Sequence, residues 1–365
     1  MRFSRLSVIA AVLLAACGQS DVTDGTGSTT SDGKRVVRFV AFGDAGRAND
    51  NQYAVANAMA QVCAIKGCDF ALELGDNIYD SGVTSVDDEQ FQTKFEEPYS
   101  VLDFPIYLTL GNHDNSASSL GLGDNNNKGE YQVEYSAAEQ NSGRWRMPAR
   151  YYAFTAPLDL KAGETPIAEF FSLDANPLAA SLQNPLQTEY YYTTYGAAQL
   201  QWFQAALSAS TAKWTFAFSH HPYVSNGQHG NAGSFDGFNG TVFPGTTSGT
   251  PWKEFLDASA CNPDYNGGVD MMLYGHDHDM QWLKPVESCN GKTEFVLSGG
   301  GSDTREFGDP ESNQAYWQQD LTPGFFWFEV TDGTLTGEAY LLDNLELPVD
   351  GKGKPVPAYT RSFSK

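Results

Sequence analysis

The sequence predicts an α/β fold in which helices cover a layered sheet. Short apolar runs typical of buried strands alternate along the chain with segments of helical periodicity. Several of these runs end in a glycine that is followed by a carboxylate, an amide or a histidine. The stretch from about 35 to 345 is long for one domain but within the range of large α/β folds, and 41% hydrophobic residues suffice for a packed core.

The N-terminus has the pattern of an export signal. Two arginines precede an apolar core at residues 6–16, which is too short to span a bilayer. The ending Leu14-Ala15-Ala16-Cys17 resembles a bacterial lipobox, which implies removal of residues 1–16 and diacylglycerol on Cys17. The alternative is an ordinary signal peptide with an incidental cysteine. Gly18 after the cysteine is the pattern expected for an outer-membrane lipoprotein that faces the periplasm or the cell surface.

Two segments are predicted to lie outside the folded domain of residues 35–345. Residues 17–34 are mainly Ser, Thr, Gly and Asp, so they cannot bury enough surface to fold and form a flexible tether. Its root-mean-square reach of about 20–25 Å would hold the domain off a membrane. Residues 346–365 are predicted to be a polar C-terminal tail.

The predicted elements within the domain alternate in type. Two helices are expected, at 49–64 and 197–209. Strands are expected at 35–43, 69–74, 105–110, 151–154, 167–173, 213–218, 269–273, 295–301, 325–330 and 335–342. The segment 225–250 is a glycine-rich loop, and loops that long in a compact domain are usually functional or mobile.

The chain is strongly acidic. Its formal net charge is −23 at pH 7, and removal of Arg2 and Arg5 with the signal takes it to −25. This charge argues against nucleic acid or an anionic lipid surface as a partner. It also repels anionic substrates, so a phosphate-binding site would need local positive charge, which metal ions can supply.

Four cysteines remain after Cys17, and an even number in an exported chain suggests disulfides. Their spacing matches no zinc cluster. Three pairings are possible, and we prefer Cys63–Cys68 with Cys261–Cys289 because each closes a local loop.

Candidate metal ligands follow five of the predicted strands. They are Asp44, Asp76 with Tyr79, Asn112 with His113, His220, and His276 with His278. One carboxylate, such as that of Asp76, can bridge two ions in a two-metal hydrolase. Tyr79 lies three residues later, so in a helical turn it shares a face with Asp76. His276 and His278 lie two apart and can point into one cavity from a strand end.

Ordinary structural roles are the alternatives. Asp-Asn after a strand is a common turn, and an isolated His-x-His is more often a surface feature than a metal ligand. The distribution of the six histidines favours a metal site, because all of them fall at 113, 220–229 and 276–278. Structural histidines would be scattered.

With these residues assembled, the chain resembles the metallophosphoesterase (calcineurin-like) superfamily and, within it, the mammalian-type purple (tartrate-resistant) acid phosphatases. The similarity runs from about 37 to 342 and departs from the family near 116–130, at 230–250 and toward the C-terminus. The motifs occur in the family's order: Gly43-Asp44-Ala45-Gly46, Gly75-Asp76-Asn77-Ile78-Tyr79, Gly111-Asn112-His113-Asp114, Ser219-His220-His221-Pro222 and Gly275-His276-Asp277-His278. The resemblance implies a four-layer α-β-β-α sandwich of the metallo-dependent phosphatase type.

The resemblance also implies two metal ions. The first would be held by Asp44, Asp76, Tyr79 and His278, and the second by Asp76, Asn112, His220 and His276, with Asp76 bridging. A phenol has a pKa of about 10, so binding as phenolate at acid pH favours Fe³⁺ at the first position. Neutral imidazoles and an amide suit Fe²⁺, Zn²⁺ or Mn²⁺ at the second.

The implied function is hydrolysis of small phosphomonoesters by attack of a metal-bound hydroxide on phosphorus, as in an acid phosphatase. His113 and His229 are the candidate catalytic residues that would protonate the leaving group, although His229 could instead be a solvated loop residue. The alternatives are a phosphodiesterase or nucleotide-hydrolysing metallophosphoesterase and a non-catalytic phosphate-binding lipoprotein. We expect no nucleic acid partner, membrane contact only through the lipid anchor, and a monomer.

Four neighbours of these motifs are not assigned as ligands. His221 is expected either beside the ligands or at the surface, and we prefer the surface. Arg47 is expected at the surface, although it could touch phosphate. Asp114 and Asp277 are expected beside the ligands or in solvent.

Overall fold

The computed structural model describes residues 28–29, 33–180, 184–235 and 248–365. The predicted signal, Cys17 and most of the tether lie outside these residues, as does part of the glycine-rich loop. None of the helices among the described residues is long and apolar enough to cross a membrane.

The first sheet contains seven strands. In chain order they are β1 (Val37–Phe42), β2 (Phe70–Glu73), β3 (Ile106–Leu108), β4 (Trp145–Arg146), β12 (Gly324–Val330), β13 (Thr334–Leu341) and β14 (Tyr359–Ser364). Their spatial order is β14-β13-β12-β1-β2-β3-β4. The strands from β1 to β4 run parallel, whereas β12 pairs antiparallel with β1.

The second sheet also has seven strands and repeats this plan. Its members are β5 (Tyr152–Ala156), β6 (Ala168–Ser172), β7 (Trp214–Phe218), β8 (Met271–Tyr274), β9 (Met280–Leu283), β10 (Glu294–Ser298) and β11 (Ala315–Gln319). Their order is β11-β9-β10-β8-β7-β6-β5, and β6, β7, β8 and β10 form its parallel centre. Antiparallel strands flank this centre on both sides, whereas in the first sheet they lie only beyond β1 and the parallel strands continue to the edge at β4.

Aromatic side chains fill the space between the two sheets. Phe39 of β1 contacts Phe170 of β6 edge-on at 5.2 Å and Phe216 of β7 at 5.8 Å between ring centroids. Successive side chains of a strand point to opposite faces. Phe171 therefore points away from this core and contacts Phe203 at 5.2 Å on the outer side of the sheet.

The helices cover the outer faces. They are α1 (Asp50–Lys66), α2 (Asn127–Tyr135), α3 (Asn176–Ala179), α4 (Ala197–Ala209) and α5 (Thr250–Asp257). Helix α1 begins after Asn49, whose side chain accepts a hydrogen bond from the backbone N–H of Gln52, and it packs its apolar side on the first sheet. Helices α4 and α5 pack on the second sheet through Phe203 and Trp252. The predicted four-layer α-β-β-α sandwich is confirmed.

Both preferred disulfides are present, Cys63–Cys68 and Cys261–Cys289. The first joins the last turn of α1 to the chain just before β2, and the second joins the turn after α5 to the segment before β10.

The prediction of a polar tail at 346–365 is wrong for its last part. Residues 359–364 form β14, which pairs antiparallel with β13 at the edge of the first sheet. Phe363 packs edge-on against Trp214, with ring centroids 5.7 Å apart, and Arg361 forms an ion pair with Glu294 at 2.7 Å. Only alternate residues contact the protein, so the strand has too few apolar residues to be recognised in the sequence.

Candidate metal centre

The predicted ligands come together at one edge of the molecule, where the parallel strands of both sheets end. Asp44 follows β1, Asp76 follows β2 and Asn112 follows β3 in the first sheet. His220 follows β7 and His276 follows β8 in the second. The crevice beyond the carboxyl ends of the strands is the usual ligand site in open α/β sheets.

Three of these residues have an unusual backbone. Asp44, Asp76 and His276 have φ angles of 59°, 54° and 74°, in the left-handed region that non-glycine residues seldom adopt. Such conformations persist only where the surroundings enforce them, and they cluster at functional sites. The sharp turns direct these side chains back toward the crevice.

Glycines beside the ligands allow this close approach. A Cβ on Gly111 would lie 2.1 Å from Oδ1 of Asp76, and one on Gly275 would lie 2.4 Å from Oδ2 of Asp44. A Cβ on Gly111 would also lie 2.3 Å from the backbone nitrogen of Asp76, so a larger residue there would displace the backbone as well as the carboxylate.

The four residues predicted for the first ion form one cluster. The phenolic oxygen of Tyr79 lies 3.1 Å from Oδ1 of Asp44 and 3.1 Å from Nε2 of His278. Nδ1 of His278 lies 3.1 Å from the carbonyl oxygen of Asp303, so it donates there and leaves Nε2 directed at the cluster.

The residues predicted for the second ion adjoin that cluster. Nε2 of His220 lies 2.9 Å from Oδ1 of Asn112, 3.1 Å from Nδ1 of His276 and 3.4 Å from Oδ2 of Asp76. Asn112 donates its amide hydrogen to the carbonyl of Gly121 at 2.7 Å, which fixes its oxygen toward the site. Ligand atoms of Asp44, Asp76 and His220 lie within 4.8 Å of one another, so Asp76 is placed between both groups.

The electrostatics of these buried groups fit bound cations. Burial raises the pKa of Asp44 to about 8, and the neighbouring Asp76 acts in the same direction. Burial disfavours the imidazolium of His220, but the carboxylate of Asp76 outweighs it and raises the His220 pKa to about 9. Cations would favour ionised carboxylates and neutral imidazoles instead. The donors are oxygens and imidazole nitrogens without a thiolate, a set suited to iron, zinc or manganese.

Asp114 and Asp277 lie beside the ligands, as predicted for these two carboxylates. Asp114 accepts hydrogen bonds from the backbone N–H groups of Asn77, Ile78 and Gly111, so it joins the loops after β2 and β3. Asp277 accepts a hydrogen bond from the backbone N–H of His229 at 2.8 Å.

His221 is buried, and its expected surface position is wrong. Its side chain is 2% exposed, and its ring centroid lies 4.4 Å from that of His276. Its backbone carbonyl accepts a hydrogen bond from Nε1 of Trp252 in α5, which covers this side of the loop. Burial lowers the pKa of His221 well below its usual value, so the imidazole is neutral.

Arg47 also lies in the site rather than at the general surface. Its guanidinium carbon lies 3.8 Å from the centroid of the Tyr79 ring. Its Nε lies 3.1 Å from Oδ2 of Asp303, and its Nη1 pairs with Asp80.

A cleft of about 440 Å³ opens above the predicted ligands. His113 lines it, with its ring centroid 4.5 Å from that of Tyr79 and Nδ1 2.5 Å from the carbonyl oxygen of Asp80. His229 lines it from the opposite sheet and stacks on His276 at 4.1 Å. The two candidate catalytic histidines therefore border the same space.

Sequence reasoning missed Arg305, Leu120 and Phe235, which also line the cleft. Arg305 follows β10, a further parallel strand that ends at the same edge. Its place after a parallel strand was the signal by which the sequence could have identified Arg305 as a residue of the site. The sequence contains no comparable signal for the two apolar residues, because only the fold of their loops brings them to the cleft.

A four-layer sandwich with carboxylate, phenol, amide and imidazole groups at converging strand ends defines a dinuclear metal-dependent hydrolase. The sequence model of the calcineurin-like phosphoesterase family matches residues 37–280. The chain belongs to this family, and the resemblance expected from its motifs is confirmed.

Curated relatives and a solved structure agree with this assignment. Purple acid phosphatase 3 of Arabidopsis thaliana is 28% identical over 327 residues, which cover 87% of this chain and 75% of that protein. Human tartrate-resistant acid phosphatase type 5 is 28% identical over 319 residues, with coverage of 84% and 83%. The structure of GAP50, the anchor in the inner membrane complex of Plasmodium, has a TM-score of 0.64 at 17% identity and covers 90% of this chain and 89% of its own. At that identity the likeness shows the fold alone.

Proposed function

We propose that the protein is a dinuclear metal phosphatase that hydrolyses phosphomonoesters at acid pH. The convergence of seven predicted ligands from five strand ends carries this proposal, with the phenol of Tyr79 in contact with both Asp44 and His278. The curated relatives are named acid phosphatases, which supports the same activity.

The proposed metal content is Fe³⁺ with a second divalent ion, which is Fe²⁺, Zn²⁺ or Mn²⁺. Asp44, Asp76, Tyr79 and His278 would hold the first, and Asp76, Asn112, His220 and His276 the second. Burial and the carboxylates of Asp76 and Asp44 raise the pKa of Tyr79 well above its usual value, so its ionisation requires a strongly charged cation beside it. When bound, the two ions supply activation of the nucleophile and neutralisation of phosphate charge.

The side chains around the ions position and protonate the substrate. His113 donates its Nδ1 proton to the carbonyl of Asp80 and is held beside Tyr79, which fixes its ring at the cleft. The backbone N–H of His229 donates to Asp277, and the ring of His229 stacks on that of His276. In this proposal either imidazolium can donate a proton to the departing oxygen, which is the part of the reaction that acid pH favours.

The proposal is tested by measuring the metal content, the visible spectrum and the rates of hydrolysis of two substrates on the same preparation. The purified protein is expected to contain iron, to absorb visible light, and to hydrolyse phenyl phosphate faster at acid than at alkaline pH. Diphenyl phosphate should react far more slowly. Preference for diphenyl phosphate would instead establish a phosphodiesterase, and a metal-loaded protein without activity on either ester would establish a binding protein.

The proposed setting is an exported lipoprotein anchored at the outer membrane through Cys17 and the tether. This part rests on residues 1–34 of the sequence alone. The proposed partner is a small phosphorylated substrate, without nucleic acid, and the proposed oligomeric state is a monomer. The net charge of −23 supports the exclusion of nucleic acid.

A further inference from the structure

The cleft above the predicted metal ligands is larger than a phosphate group. Its volume of about 440 Å³ lies in the range of sites that enclose drug-sized ligands. A phosphate on the predicted ligands would occupy the floor of this space, so the leaving group must lie against the walls.

The lining of the cleft combines apolar and cationic side chains. On the side of Asn112, Leu120 lies next to Gly121, whose carbonyl accepts a hydrogen bond from Asn112 at 2.7 Å. Phe235 is a second apolar residue of the lining, with its ring centroid 5.9 Å from that of His276. The lining also carries two arginines, Arg47, whose guanidinium lies over the ring of Tyr79, and Arg305, whose backbone N–H donates to the carbonyl of His278.

The charge of Arg47 is matched by neighbouring carboxylates. Its guanidinium pairs with Asp80 and, at 3.1 Å, with Asp303. Asp303 also accepts a hydrogen bond from Asn49 at 2.8 Å. These acidic groups are therefore engaged with Arg47 and Asn49.

Arg305 has a fixed backbone and an unmatched charge. Its backbone N–H donates to the carbonyl of His278 at 2.8 Å, and its own carbonyl accepts from the N–H of Leu321 at 3.4 Å. Its side chain lines the cleft and forms no ion pair with any residue in the described parts of the chain. In a protein of net charge −23, a positioned guanidinium without a carboxylate partner indicates a site for an anion.

We infer that Arg305 binds a second anionic group of the substrate, so that the preferred phosphomonoesters carry a carboxylate or a further phosphate in the leaving group. This inference rests on the proposed phosphatase function. The planar guanidinium offers paired N–H donors that match either anion. The phosphoryl group under attack would lie on the predicted ligands, whereas Arg305 is a separate cation of the lining, attached through its backbone N–H to the carbonyl of His278.

Binding of matched phosphonates to the metal-loaded protein tests the inference without turnover. Phosphonopropionate and propane diphosphonate carry a second anion that propylphosphonate lacks. We expect calorimetry to show that the wild-type protein binds the first two more tightly. Arg305→Gln should weaken their binding about tenfold and leave propylphosphonate unchanged. The stronger of the two doubly charged ligands identifies the preferred second anion.

Two further variants complete the comparison. Arg305→Lys keeps the charge but loses the planar fork, so it should retain part of the preference. Arg35→Gln is the control, because Arg35 pairs with Asp159 and Glu164 outside the cleft. It should bind all three ligands like the wild type.

Kinetics separate failure of this inference from failure of the proposed function. Carboxyphenyl phosphate should have a lower KM than phenyl phosphate, and Arg305→Gln should abolish the difference with kcat little changed. A wild-type enzyme that hydrolyses neither ester overturns the proposed function. An active enzyme that does not prefer carboxyphenyl phosphate overturns the inference. Equal weakening of all three phosphonates by Arg305→Gln also overturns it, because Arg305 would then bind the phosphoryl group itself.

Discussion

The phenolic oxygen of Tyr79 lies 3.1 Å from Oδ1 of Asp44, although the two residues follow different strands of the first sheet. His278, from the second sheet, lies 3.1 Å from the same oxygen. This contact joins the two sheets at the metal site. Because the phenol of Tyr79 lies within this group of predicted ligands, the absorption spectrum of the protein should indicate which ion is bound there.

Tyr79→Phe is expected to remove the visible absorption of the purified protein, because that absorption would arise from charge transfer between the phenolate and Fe³⁺. Asp44, Asp76 and His278 would still hold an ion. Spectra and metal content should be recorded on the same samples. Tyr152→Phe is the matched control, since Tyr152 is also buried but donates its hydroxyl to the carbonyl of Leu108. A fully active, colourless wild-type protein with two divalent ions would refute ferric ligation by Tyr79.

Asp76→Ala and Asn112→Ala should differ in metal content. Asp76 adjoins both groups of ligands, whereas Asn112 lies at hydrogen-bond distance from His220 and, among the described residues, from no other predicted ligand. Asp76→Ala should therefore lower the content from about two ions per chain to about zero, and Asn112→Ala to about one. Mass spectrometry of the metals in dialysed protein measures this, with the exposed Asp332→Ala as control. Loss of a single ion from Asp76→Ala would contradict the bridge.

The position of the site was predictable because its residues follow recognisable strands. Asp44, Asp76, Asn112, His220 and His276 each come two to four residues after an apolar run. Parallel strands place such positions at a common edge, so the sequence indicated a cluster.

The surroundings of the site were not predictable, because they depend on packing between distant segments. His221 was expected at the surface since it must point away from the face of its neighbour His220. That opposite side is covered by Trp252 and Phe235, which lie in other segments of the chain. Strand β14 was missed for the same reason, since its partner strand β13 and the aromatic ring of Trp214 lie in other segments of the chain.

Cys17→Ser tests the proposed lipid anchor. A serine cannot form the thioether to diacylglycerol, so the variant should leave the membrane fraction while its turnover in solution stays that of the wild type. Labelling with a radioactive fatty acid should be lost in parallel. Continued sedimentation of the variant with membranes would show that Cys17 is not the anchor.

Glu73 is expected to make the stability of the protein depend on pH. It lies in β2 between β1 and β3, is wholly buried, and its carboxyl oxygens have no hydrogen-bond partner among the described residues. Burial, with smaller contributions from Asp114 and Asp44, raises the pKa of Glu73 well above its ordinary value of 4.5. The folded protein therefore keeps this proton at a pH where the unfolded chain has lost it.

The sign follows from proton binding. Above pH 4.5 the folded state binds more protons at Glu73 than the unfolded state, so the free energy of unfolding falls as the pH rises. The contribution is about 1.4 kcal/mol per pH unit until the folded pKa is reached. Glu73→Gln has no proton to release and should lose this slope in urea denaturation at pH values above 4.5. The exposed Glu134→Gln should keep it, and an unaltered slope in Glu73→Gln would disprove the assignment.

His113 and His229 are expected to differ from the ligands by affecting rate without affecting metal content. Both border the cleft, and His229 stacks on His276 at 4.1 Å without lying among the predicted ligands. An alkoxide leaves slowly unless it is protonated, and a positioned acid typically accelerates such a step about 10²–10⁴-fold. Nitrophenolate hardly needs a proton. His229→Ala should therefore keep two ions, lose about 100-fold in kcat on an alkyl phosphate, and lose less than about tenfold on nitrophenyl phosphate.

The control for this experiment comes from the same loop. Gln228 is the exposed neighbour of His229, so Gln228→Ala tests whether disturbance of the loop alone changes the rate. His113→Ala should show the same substrate dependence if both histidines share the proton transfer. Equal losses on the two substrates would exclude His229 as the acid. His229 would then be at most a group that orients the phosphate, because loss of orientation slows both substrates alike.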